Sequence, residues 1–298
     1  MHRLALYTFI FIFIVACNRK KPEADRALIS ASILPQKYFI GQIAGELYEV
    51  NILIPPGASP ASYEPVPQQI ARLEESAAYF MAGHIGFEYS WADKISASNP
   101  GMALFDLSQG IELIRREDSL LHDHDHPGGV DPHIWVSPRR VKSIAENIFR
   151  AMVEIDPDHE DFYRANYIRF REELDFLDLT IEQMLNDFEG RSFIIFHPAL
   201  TYLAADYGIQ QVAIEWEGKE PSPGYLMALI DHAKKENINV VFVQEQFDMD
   251  NARAVADELN GEIVRINPLD EDWKASVLQI ASALVHSFQE KELIMKTR

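Results

Sequence analysis

Two histidines stand where an imidazole can meet a ligand. His197 follows the apolar run Phe193-Ile194-Ile195-Phe196 and precedes Pro198. Such a run reads as a buried strand, and open α/β sheets bind ligands beyond the carboxyl ends of their strands. His133 lies in Asp131-Pro132-His133-Ile134-Trp135-Val136-Ser137-Pro138. Ser137 before Pro138 reads as a helix N-cap with proline at the first helical position, so the preceding residues form a fixed approach to that helix. Asp131 can support the His133 ring as outer carboxylates support metal-bound histidines. The chemistry open to the pair is metal binding through neutral imidazole nitrogen. Each residue also has a plain structural role open to it: a cap or surface histidine at 197, and a loop histidine beside a structural tryptophan at 133.

Further candidates carry oxygen or nitrogen donors. Glu215 ends another apolar strand on the ligand side, where a rim carboxylate is the alternative. His84 sits in the turn Met81-Ala82-Gly83-His84-Ile85-Gly86-Phe87-Glu88, where it is either a ligand or a turn residue. The tract His122-Asp123-His124-Asp125-His126, before Pro127-Gly128-Gly129, can capture a divalent cation weakly or serve as a solvated loop. Cys17 is the single cysteine. The chain therefore has no internal disulfide and no cysteine-based zinc site, so any metal ligand is His, Asp, Glu or an amide.

The elements that position these residues follow from patterning. Arg3 precedes an apolar run from Leu4 to Ala16, short for a membrane span and suited to a signal-peptide core. It ends in Ile14-Val15-Ala16-Cys17, which resembles the lipobox of a bacterial lipoprotein, with Cys17 the acylated residue. Residues 1–16 are thus expected to be a signal peptide and 17–26 a lipid-anchored tether, polar and basic with Pro22. This is expected to make the protein exported and membrane-anchored, facing the periplasm or cell exterior. Strands over 27–33, 48–54, 78–81 and 102–107, with helices over 35–45 and 67–76, make 27–137 an N-terminal α/β lobe. Residues 138–190 read as a helical linker interrupted at Asp156-Pro157. After that break Phe170, Leu174, Leu177, Ile181, Met184 and Phe188 form one apolar stripe on a helix of about 30 residues. Strands over 192–196, 211–215, 240–244 and 262–266, with helices beginning near Pro198, Ser222, Met249 and Glu271, make 191–298 a second α/β lobe. The expected architecture is two α/β lobes with mostly parallel sheets, joined by a long rigid helix, with a metal site in the interlobe cleft.

The 298 residues carry 46 acidic and 27 basic side chains, a formal charge of −19 that becomes −20 once Arg3 leaves with the leader. Such a body excludes nucleic acid as a partner, because phosphates require a basic face. It suits a cationic ligand through long-range steering, and also plain solubility.

Several stretches together resemble the zinc and manganese solute-binding proteins of ABC uptake systems, the metal-binding cluster of periplasmic binding proteins. They are Pro56-Gly57-Ala58-Ser59-Pro60 with Tyr63-Glu64-Pro65, the Asp131–Pro138 motif, and Phe196-His197-Pro198 with Tyr202 and Tyr207-Gly208. Glu220-Pro221-Ser222-Pro223, Val241–Phe247 and Asn267-Pro268-Leu269 complete them, covering nearly the whole chain after the leader. The resemblance implies two lobes joined by a long helix with little hinge motion, and four ligand positions. His133 and His197 match two of these positions. Ala61 stands where the family has histidine, and Asn267 where it has aspartate. A methyl group binds no metal, and an amide oxygen suits a hard ion better than zinc. Glu215, His84, Glu64, Glu217 and Asp270 are the residues available to complete the set. The resemblance implies a receptor that captures Zn2+, or Mn2+ or Fe2+, and delivers it to an ABC permease, with His122, His124 and His126 as accessory capture residues. A monomer with no catalytic role is expected.

Two other classes compete. The missing ligands at 61 and 267 leave open a protein of the same fold that serves as an adhesin or binds a non-metal ligand. A metal-dependent hydrolase could use two histidines and carboxylates to activate water, but the chain carries neither His-Glu-x-x-His nor Gly-x-Ser-x-Gly.

Overall fold

The structure, a computed structural model, describes residues 26–115, 129–215, 221–247 and 249–296. The expected leader, Cys17, the tract holding His122, His124 and His126, and Glu217 lie outside these residues. In the first lobe β1 (Ala27–Ala31), α1 (Leu34–Ala44), β2 (Tyr48–Ile52), α2 (Pro67–Glu74), β3 (Ala78–Met81), α3 (Gly86–Ser98) and β4 (Ala103–Asp106) alternate. The strands form a parallel sheet in the order β2-β1-β3-β4. Two helices follow, α4 (Pro138–Ile155) and α5 (Glu160–Leu185). The second lobe holds β5 (Ser192–Ile195), α6 (Thr201–Asp206), β6 (Gln210–Ala213), α7 (Pro223–Glu236), β7 (Val240–Gln244), α8 (Asp250–Glu258), β8 (Glu262–Ile266) and α9 (Trp273–Lys296). Its parallel sheet runs β6-β5-β7-β8, the same topology as the first. In each sheet the order reverses beside the first strand, between β1 and β3 or between β5 and β7. Crevices open at the carboxyl ends of strands at such points. Strands β5 and β7 are buried at every residue, which is why they read as unbroken apolar runs.

Helix α5 is the backbone between the lobes. Its 26 residues span about 39 Å, and it packs on α1 of the first lobe, on α4 and on α9 of the second. Its buried face starts earlier than the apolar stripe implies, at Tyr163 and Asn166, before continuing through Phe170, Leu174, Leu177 and Ile181 to Leu185. The helix closes in a 3-10 turn, Asn186–Phe188, instead of running on as α-helix. One apolar core passes from the first sheet through α4 and α5 to α9, and a smaller one lies under α7 and α8 on the other face of the second sheet. The joint is aromatic: Trp273 of α9 meets Phe39 of α1 edge-on at 4.9 Å, and Phe170 of α5 lies 6.3 Å from Phe39. The edge-on Phe39–Trp273 contact adds to the burial of the three large rings.

Local details depart from the sequence expectation. Helix α3 has no clear apolar stripe, because one of its three buried residues is Glu88. The helix expected near Pro198 starts at Thr201, after a turn in which the Ala199 N–H donates to the His197 carbonyl at 2.7 Å. Ser137 occupies the N-cap position of α4, yet its hydroxyl does not cap the helix. It donates instead to Asp206 Oδ2 at 2.6 Å, a residue that Arg140 grips with two nitrogens, at 2.6 and 3.0 Å. This pair fastens the start of α4 to the end of α6.

Glu88 organises the mouth of the first lobe. It accepts hydrogen bonds from the Ala82 and Gly83 N–H groups, at 2.6 and 2.9 Å, and from the Ser32 hydroxyl, tying the ends of β1 and β3 together. Burial pushes its carboxyl up to about 7, against the pull of those donors. A carboxyl raised in the folded state is held more tightly protonated folded than unfolded. Its contribution to stability therefore falls as pH climbs from the ordinary 4.5 to about 7.

Two outcomes are expected. Urea denaturation at about pH 5 and about pH 8 should show wild type losing stability relative to Glu88→Gln by on the order of 2 kcal/mol as pH rises. An equal difference at both pH values contradicts the assignment. Trp273→Ala should cost about 3–5 kcal/mol in the same measurement, as emptied core positions of large aromatics do. A cost below about 1 kcal/mol, the range of surface substitutions, would show that the interlobe joint does not rest on this ring.

Candidate metal centre

His133 is held by its neighbours before any ligand arrives. Residues Ile134–Val136 make a 3-10 turn leading into α4. Asp131 Oδ1 accepts from the His133 backbone N–H and from its Nδ1, each at 2.9 Å. Asp131 Oδ2 accepts from the Thr201 hydroxyl at 2.8 Å, and the Asp131 carbonyl accepts from the Tyr202 hydroxyl at 2.8 Å. Burial alone would raise the Asp131 carboxyl, but the adjacent His133 ring and the donated hydrogen bonds outweigh it and hold the group below its ordinary value. An ionised carboxylate only accepts, so His133 Nδ1 carries a proton and Nε2 is the nitrogen turned away from Asp131.

His197 is held in a parallel way from the second sheet. Gln244, at the end of β7, donates from Nε2 to the His197 carbonyl at 2.6 Å, and its Oε1 lies 3.4 Å from the His197 N–H. Glu215, buried just past β6, sets Oε1 3.4 Å from His197 Nδ1, a long contact. The ring stacks on Phe247 at 4.8 Å. Burial lowers the His197 value, opposed by the Glu215 contact, so the ring is neutral at pH 7, the form that binds metal.

The two imidazoles meet. Their centroids are 5.2 Å apart with planes at 75°, and both border a cavity of about 70 Å³. With each Nδ1 turned to a carboxylate, Nε2 is the nitrogen that each ring offers to a ligand. Across the cavity stand Ser59, Pro60, Ala61, Ile85 and Gly86 of the first lobe.

The other candidates are placed elsewhere or differently. Glu215 sits behind His197, on its Nδ1 side. Asn267 borders a neighbouring cavity of about 40 Å³, with its amide oxygen accepting from the Leu269 N–H at 3.1 Å and its Nδ2 donating to Asp270 at 3.2 Å. His84 has a left-handed φ of 66° and pairs through Nδ1 with the Tyr89 hydroxyl at 2.6 Å. Glu64 is exposed. Among the described residues no group of three His, Cys, Asp or Glu side chains gathers as a metal cluster. Thr201, Tyr202 and Gln244, which hold the histidines, were not anticipated from sequence. Their partners lie 47 to 71 residues away, and the hint was that Tyr202 and Gln244 fall within stretches that carry the family resemblance.

Known proteins resemble the chain in sequence and in fold. The profile of the family described as ZnuA, zinc-uptake complex component A, periplasmic, matches residues 29–289. The zinc-binding lipoprotein AdcA of Streptococcus pneumoniae is 28% identical over 285 residues, which cover 91% of this chain and 56% of that protein. The chain thus spans little more than half of that relative. The high-affinity zinc uptake system protein ZnuA of Bacillus subtilis is 28% identical over 275 residues, 87% of this chain and 86% of that one. A crystal structure of ZnuA superposes with a TM-score of 0.82 at 39% identity, covering 88% of this chain and 99% of that one. Two parallel-sheet lobes of matching topology, a cleft lined by paired histidines and a profile match over most of the length converge: the chain belongs to the ZnuA family of metal-uptake solute-binding proteins.

Proposed function

We propose that this chain captures a divalent transition metal ion, Zn2+ in the first place, between His133 and His197 and delivers it to the permease of an ABC uptake transporter. The observation that carries the reading is the pair of facing imidazoles, each with Nδ1 against a buried carboxylate. That arrangement fixes tautomer and ring orientation and makes Nε2 a better donor, as outer carboxylates do in metal sites generally. Imidazole suits zinc and the harder first-row ions, so Mn2+ and Fe2+ are the competing cargoes. Two nitrogens leave two of four tetrahedral positions for water or other oxygen donors. The names of the relatives, a zinc-binding lipoprotein and a zinc uptake system protein, support the choice of zinc. In this reading acylated Cys17 tethers a monomer outside the membrane, and His122, His124 and His126 capture metal weakly as an accessory tract.

Isothermal titration of metal-stripped protein with Zn2+ and Mn2+ tests the proposal. Saturable, equimolar zinc binding is expected, abolished in both His133→Ala and His197→Ala. Asp131→Asn should keep binding but weaken it about 10–100-fold, the usual cost of losing an outer partner. No saturable uptake of either ion would overturn the proposal.

A further inference from the structure

The turn that carries His197 is linked to the His133 ring by a chain of hydrogen bonds that begins at Leu200. This residue lies between His197 and α6, and its backbone N–H donates to Gln211 Oε1 at 2.8 Å. Gln211 stands on β6, which pairs with β5, the strand just ahead of His197. A backbone N–H only donates, so the amide oxygen of Gln211 faces Leu200 and its nitrogen faces the other way. That nitrogen donates to the Thr201 hydroxyl at 2.9 Å. With its oxygen accepting there, Thr201 has one proton to place. Asp131 Oδ2 lies at 2.8 Å and the Pro198 carbonyl at 3.3 Å, so the proton goes to the carboxylate, the shorter and charge-assisted bond. Asp131 Oδ1 in turn accepts from the His133 ring.

Every link therefore has one direction, set at its start by a backbone group that cannot turn round. The main chain of Asp131 is held separately: its N–H donates to the Ile114 carbonyl at 2.9 Å, and its carbonyl accepts from the Tyr202 hydroxyl. What Thr201 fixes is the carboxylate. The chain also joins distant parts of the fold, since Asp131 precedes α4 whereas Thr201 and Gln211 belong to α6 and β6. Neither Thr201 nor Gln211 borders the cavity between the two rings.

Building on the metal-binding reading above, we infer that Gln211 and Thr201 are positioning residues of the metal site, which carry the placement of the His197 turn through Asp131 to the His133 ring. They set one imidazole against the other without touching the ion. A relay in series has a signature that independent packing roles lack. Once one link is cut, cutting the next has no further effect, so the two losses fail to add.

Isothermal titration of metal-stripped variants with zinc, arranged as a double-mutant cycle, tests this. Thr201→Val should weaken zinc about tenfold, the low end for loss of an outer partner, and Thr201→Ser, which keeps the hydroxyl, should bind as wild type does. Gln211→Met, of similar length but without the amide, should weaken zinc about threefold or more. Placed in the Thr201→Val or Asp131→Asn background, it should weaken zinc no further. Factors that multiply in the double variants, unchanged affinity in Thr201→Val or Gln211→Met, or weak binding in Thr201→Ser would overturn the inference. Failure of wild type to bind zinc in the same titration is a separate result, and it would remove the metal-binding reading itself.

Discussion

The Asp131 carboxylate receives hydrogen bonds from the His133 backbone, the His133 ring and the Thr201 hydroxyl, and the site takes its shape from where those donors sit. One oxygen binds two atoms of the same histidine, which fixes backbone and ring together. The other oxygen reaches across to α6, which follows His197 a few residues beyond the end of β5. A single buried charge thereby sets one imidazole relative to the other. Burying a carboxylate without partners would cost several kcal/mol. With these donors supplied it stays ionised, and its proton-accepting side keeps the His133 lone pair aimed away from the protein.

That local fixity relies on a stiff frame. Both sheets run β-strands in the same parallel order, so each lobe turns the carboxyl ends of its strands toward a crevice. Helix α5 spans the two, and the Phe39, Phe170 and Trp273 rings join α1, α5 and α9 in one core. Trp273 also donates to the Trp135 carbonyl, so the residue that seals the interlobe core is in direct contact with the histidine segment. Packing and ligand geometry are thus coupled through one indole. Close-packed interiors transmit displacement because they contain few voids to absorb it.

How much of this is legible in the sequence depends on the range of the interaction. The lobes and the long helix are written in short periods: unbroken apolar runs for β5 and β7, and spacings of three and four for the buried face of α5. His197 stands out because a polar ring ends an apolar strand, and His133 because Ser137-Pro138 marks a helix start just beyond it. The Ser137 hydroxyl itself could not be read this way, since its partner Asp206 is 69 residues distant. Helix α3 has no legible apolar stripe because Glu88 interrupts its buried face, a polar group whose backbone donors only the fold supplies. Asn267 illustrates the reverse case. Its amide is engaged by Leu269 and Asp270, within three residues, a local turn that motif position alone does not reveal.

A crystal structure of the zinc-loaded chain, with the ion located by anomalous scattering at the zinc edge, tests the paired-histidine site most directly. Zinc is expected about 2.0–2.1 Å from His133 Nε2 and His197 Nε2, with Asp131 and Glu215 on the far nitrogens. Zinc bound directly by Glu215, or seated away from these two rings, would contradict it.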